Sequence, residues 1–93
     1  MKKSKARRIK LYPIPETEGY LYLNLPKGAQ PAGFYEEKDG LEIGLIVNEE
    51  AALEKKKFLI IREGDEIKGP ASEKLVPIGL FVRKKVFFVF EIK

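Results

Sequence analysis

From residue 9 to the end of the chain, apolar and polar residues alternate in short runs. Successive side chains of an extended strand point to opposite faces, so a period of two makes a half-buried strand and spoils the apolar stripe a helix needs. Tyr20 to Leu25 is the plainest case: Leu21, Leu23 and Leu25 share one face, and Tyr20, Tyr22 and Asn24 the other. β-branched and aromatic residues fill these runs and turn residues separate them, which gives about seven strands.

Ile9 to Tyr12 opens the set and is closed by Pro13 and Pro15, which lack the N–H that a ladder needs and so place this segment at a sheet edge or end. Pro26-Lys27-Gly28-Ala29 interrupts the pattern before a third strand from Ala32 to Lys38. Asp39-Gly40 then marks a hairpin, because both central positions of a type I′ turn need positive φ. That hairpin pairs the third strand with Leu41 to Val47, whose inward face is Leu41, Ile43, Leu45 and Val47.

Asn48 to Lys57 is the one stretch open to a helix, since Asn48 can cap and Glu49, Glu50, Ala51, Ala52, Leu53 and Glu54 are helix formers with acids near the amino end. At most one short helix near residues 49–55 fits before Phe58 to Arg62 resumes as a strand. A helix of that length is marginal, and a charged loop is an equally good reading. Gly64 to Ser72 is a loop marked by Gly69-Pro70, and a second hairpin joins Leu75 to Arg83 with Val86 to Ile92 around Arg83-Lys84-Lys85.

The expected fold is therefore all-β and mainly antiparallel, a small β-sandwich or barrel. Val86-Phe87-Phe88-Val89-Phe90 is apolar on both faces, which fits a central strand covered from both sides or an oligomer interface. Phe81, Phe87 and Val89 are the candidate interface residues. A homo-oligomer, with a dimer favoured, is the expected assembly.

A chain of 93 residues has room for one domain, here residues 9–93 behind a basic flexible arm of residues 1–8. Cysteine is absent, so stability comes from packing and not from disulfides. No apolar run is long enough to span a membrane, and the basic amino terminus lacks the apolar stretch of a secretory signal. The expected location is the cytoplasm, or a virion if the protein is viral, with no membrane partner. Two Asn, one Gln and one Thr against 14 Lys and 14 acidic residues is a composition that growth at high temperature tends to select.

Charge is unevenly placed. Lys2, Lys3, Lys5, Arg7, Arg8 and Lys10 carry no acid among them, while residues 11–93 hold 12 basic and 14 acidic groups, a net −2. Lys and Arg clustered on a flexible segment attract phosphates by releasing counterions, and these six are the candidate nucleic-acid-binding residues. Tyr12, Tyr20, Tyr22 and Tyr35 become stacking partners for bases if they share an exposed face. The ordinary alternative for such an arm is a solubilising tail.

The usual catalytic inventory is nearly empty. Without His or Cys there is no zinc cluster, no thiol nucleophile and no Ser-His pair. Ser4 falls in the arm, Ser72 in a loop and Thr17 beside prolines. The acidic groups Glu36-Glu37-Asp39, Glu49-Glu50 and Glu63-Asp65-Glu66 sit where solvated turns are expected. The expectation is a protein that is not an enzyme, with no cofactor, no metal and no small-molecule substrate.

Four segments carry a resemblance. They are Lys10-Leu11-Tyr12-Pro13; Leu25-Pro26-Lys27-Gly28-Ala29; the apolar strand into Val47-Asn48-Glu49, followed by a charged stretch and Lys57-Phe58; and Ile78-Gly79-Leu80-Phe81 leading to Val86-Phe87-Phe88-Val89-Phe90-Glu91. In this order they resemble a small family of uncharacterised phage and prophage proteins, over about residues 9 to 92. The resemblance implies a viral or mobile-element protein without assigned chemistry. Members of that family typically open at the Tyr-Pro segment, so the basic arm is a departure from the pattern. The leading expectation is a protein that binds a macromolecular partner or itself, and the alternative is a nucleic-acid-binding protein that uses the arm.

Overall fold

The computed structural model describes residues 6–15, 18–38, 40–70 and 73–93. The strands are β1 (Arg8–Ile14), β2 (Gly19–Pro26), β3 (Gln30–Glu37), β4 (Gly40–Val47), β5 (Leu53–Arg62), β6 (Leu75–Arg83) and β7 (Lys85–Ile92). All pairing is antiparallel, in a three-stranded sheet ordered β1-β4-β3 and a four-stranded sheet ordered β2-β5-β7-β6. The two sheets face each other as a β-sandwich. No helix occurs among the described residues, and so none is long and apolar enough to cross a membrane.

Alternation builds the core. Leu41, Ile43, Leu45 and Val47, the expected inward face of β4, are no more than 2% exposed. Opposite them lie Phe58 and Ile60 from β5, Phe87 and Val89 from β7, Phe81 from β6 and Leu25 from β2, with Ile14 closing one end. Each such side chain contributes roughly 1.5–3 kcal/mol when withdrawn from water. Phe81, Phe87 and Val89 were candidate interface residues on sequence grounds, and the structure corrects that: they are 2%, 8% and 2% exposed and belong to the core. Phe81 stacks on Phe87 with ring centroids 5.2 Å apart, which fixes these faces inward.

The stretch after Asn48 forms a turn. The Glu50 N–H donates to Asn48 Oδ1 and the Ala51 N–H donates to the Asn48 carbonyl, both at 3.0 Å. β5 then starts at Leu53, five residues before the expected Phe58, because it pairs with β2 from Pro26 back to Gly19. A two-turn helix has little stability of its own, and an eight-pair ladder outweighs it. The β3–β4 hairpin is also shifted from expectation: Glu37 pairs with Gly40, which opens β4 and is not among the glycines of positive φ. Asp39 lies outside the described residues.

β5 and β6 both run antiparallel to β7, so they are parallel to each other and the connection between them, described over residues 63–70 and 73–74, returns along the sheet. This crossover passes over the outer face. Tyr20 Oη donates to the Lys68 carbonyl at 3.1 Å, and Lys57 Nζ donates to Glu73 Oε2 at 3.0 Å. Leu59 and Ile61 lie outside the core cluster, yet they are 6% and 8% exposed. On the other flank Phe34 meets Phe81 edge-on at 5.8 Å, and Arg83 Nη2 donates to the Gly40 and Glu37 carbonyls at 2.8 and 3.3 Å. Those contacts join β6 to the β3–β4 hairpin.

Candidate functional site

With Phe81 and Phe87 inside, their neighbours are turned outward. Register places Leu80 beside Phe88 and Val82 beside Val86 on the outer face of the four-stranded sheet. Leu80 and Val82 are about half exposed, and Val86, Phe88 and Phe90 are half-buried. Between β7 and the crossover lies a groove of about 300 Å³ lined in part by Ile61, Ile67, Phe88 and Phe90. The apolar surface of this hairpin was legible in the sequence, but its parity was not, because a strand that is apolar on both faces does not say which one turns inward.

A second apolar patch lies on the outer face of the three-stranded sheet, where Ile9, Leu11 and Tyr35 are exposed around Gly33 and Gly44. It is shallower. Gly44 offers no side chain there, and the Ile9 and Leu11 methyl groups lie within 4 Å of where its Cβ would be.

The basic arm is partly built into the fold. β1 begins at Arg8, and Arg8 Nε and Lys10 Nζ reach the two oxygens of Glu49 at 3.2 and 2.9 Å. This exposed hydrogen bond and charge hold the Glu49 carboxyl below its usual range and raise Lys10 above its own. Arg7 is exposed just before β1. Lys2, Lys3 and Lys5 lie outside the described residues, as do Ser4, Thr17 and Ser72.

The four candidate tyrosines divide. Tyr12 packs against the core and Tyr35 faces out of the other sheet, whereas Tyr20 and Tyr22 project together from β2. Lys57 Nζ stands 4.4 Å from the centroid of the Tyr20 ring, and Lys55 Nζ 5.9 Å from that of Tyr22. Lys55 to Lys57 were expected as a helical or loop tip, and the strand instead sorts them by face. Lys55 and Lys57 go outward, while Lys56 turns inward to Glu91 Oε2 at 2.9 Å, with Glu54 Oε2 at 3.6 Å.

No family model, no curated protein and no solved structure is significantly similar to this chain. Its surfaces therefore stand on their own residues. Among the described residues no three acidic side chains converge as a metal-ion site. Glu49 is engaged by β1, and Asp65 accepts from Arg62 Nε at 3.3 Å.

Proposed function

We propose that this is a non-enzymatic protein that works by assembling with a second copy of itself through the outer face of the β6–β7 hairpin. The observation that supports it is the row of five apolar side chains, Leu80, Val82, Val86, Phe88 and Phe90, on the water side of a finished sandwich. Outer faces of sandwiches are ordinarily polar, and two phenylalanines at the centre of a patch are the kind of anchor that dominates interfaces. A second copy brings the same strip and buries both.

Area sets the strength. Two strands and the flanking crossover, about 26 Å long and about 15–20 Å wide, offer roughly 400–500 Å² per protomer. That is the low end for a specific interface, which makes the dimer reversible in the micromolar range and not obligate. The likeness to small phage and prophage proteins is compatible with this role and adds no activity to it.

Sedimentation velocity from about 5 to 200 μM tests the proposal. A concentration-dependent dimer is expected, and Leu80→Lys with Val82→Glu should leave a monomer whose far-ultraviolet circular dichroism is unchanged. A chain that stays monomeric throughout would sink it. So would a dimer indifferent to those two substitutions, which would move the contact to the Ile9 and Leu11 face.

A further inference from the structure

On β2 and β5 the outer face of the same sheet has a different chemistry. β2 sends out Tyr20, Tyr22 and Asn24, and register sets Leu59, Lys57 and Lys55 beside them. Each lysine leans diagonally: Lys57 lies level with Tyr22 but stands over Tyr20, and Lys55 lies level with Asn24 but approaches Tyr22. Ring and cation therefore alternate along the edge of the sheet. Both tyrosines stay open to water, at 44% and 54% exposure.

The local charge suits an anion. In Glu54-Lys55-Lys56-Lys57 the alternation turns Glu54 and Lys56 to one side, so β5 presents only cations beside the rings. Glu73 reaches this face from the crossover and tethers Lys57, leaving Lys55 the more exposed of the two cations. Lys27 follows β2 at this end of the sheet. Lys74 and Lys93, paired through their backbones, lie there too.

Spacing distinguishes the kinds of polyanion. Residues two apart on a strand stand about 6.8 Å apart, which is about twice the 3.4 Å rise per nucleotide of a duplex strand. Stacked duplex bases cannot meet both rings, whereas an extended single strand with separated bases can. Aromatic rings alternating with basic groups are the usual means of holding single strands without reading their sequence.

We propose that the outer face of β2 and β5 binds single-stranded nucleic acid, with bases stacked on Tyr20 and Tyr22 and phosphates held by Lys55 and Lys57. This site is separate from the β6–β7 strip and does not depend on self-association. It also differs from binding by the arm, because the folded sheet supplies both the stacking and the charge.

Fluorescence anisotropy of the full chain with labelled oligo-dT and oligo-rU, at 50 and 200 mM salt, tests it. Tyr22→Ala is expected to weaken binding about tenfold or more, and Tyr22→Phe to retain it. Lys55→Glu should weaken it comparably and flatten the dependence of log affinity on log salt by roughly 0.7 per lost phosphate contact. Far-ultraviolet circular dichroism of each variant shows that the fold persists, as the exposure of both residues leads one to expect. A duplex of the same length should compete poorly.

Three results would overturn the proposal. One is no binding to either oligonucleotide at 50 mM salt. Another is affinity unaltered by Tyr22→Ala and Lys55→Glu but lost when Lys2, Lys3 and Lys5 are changed to Gln, which gives the binding to the arm. The third is equal competition by duplex, which removes the role of the rings.

Discussion

The inward-facing Glu91 is the one charged residue buried among the described residues. It is 8% exposed, and Lys56 Nζ donates to it at 2.9 Å from a side chain itself only 18% exposed. A buried charge needs its partner more than the protein needs the pair, so Glu91→Gln should cost about 1–3 kcal/mol at neutral pH. Replacing both residues together, Lys56→Met with Glu91→Leu, should cost less than the two single changes summed. The hydrogen bond to Glu91, opposed by burial and helped by the charges of Glu91 and Glu54, raises the Lys56 ammonium above its ordinary 10.5. Since the folded value is the higher one, the stabilisation is complete below 10.5 and is lost as pH rises through the raised value. Urea midpoints for wild type and Glu91→Gln should therefore differ most near neutrality and converge in strong alkali. Equal midpoints at pH 7 would show that the pair is dispensable.

At the level of the strand, β6 explains how two sheets of unequal size close on one flank. Its register against β7 slips between Pro77 and Gly79, and the backbone at Gly79 comes close to Phe34 of the opposite sheet. A Cβ there would lie 3.1 Å from Phe34 Cε2, so Gly79 makes room for the ring that meets Phe81 edge-on. Gly79→Ala asks the ring to move a few tenths of an ångström, and Gly79→Val asks for more. The expected losses are about 1 kcal/mol for Ala and about 2–3 kcal/mol for Val, read from denaturant midpoints. A Val variant as stable as wild type would remove this account of the bulge. A lone glycine inside the apolar run Ile78-Gly79-Leu80-Phe81 is the ordinary sign of a bulge or close backbone approach, but nothing local points to its partner Phe34, 45 positions away. Residues 53–57 were misread for a related reason. Glu54 to Lys57 looks helical or loop-like locally, and only the ladder with β2, set by a contact across the fold, makes it a strand.

Across the whole molecule the alternating pattern told most of the story: the pairing of β3 with β4, that of β6 with β7, and the inward row Leu41, Ile43, Leu45 and Val47. What it left out was which strands lie in the middle. β4 is flanked on both sides in one sheet, and β5 and β7 in the other, whereas β1, β2, β3 and β6 are sheet edges. Pairing on both sides ties a strand to two neighbours, so local opening should expose the edges first and the three central strands only with global unfolding. Amide hydrogen exchange is expected to be slowest for Ile43, Leu45, Ile60 and Val89, and faster along β1 and β2. β5 carries a further consequence of the crossover. Leu59 and Ile61 are buried beneath the part of it formed by residues 63–70. Freeing that segment by Glu73→Gln with Tyr20→Phe weakens two of its side-chain ties to β2 and β5 and leaves the third, Asp65 on Arg62. Exchange should then quicken first across residues 63–70, with β4 unchanged. Equal acceleration in β4 would mean that the crossover supports the core itself and is more than a cover for one face of it.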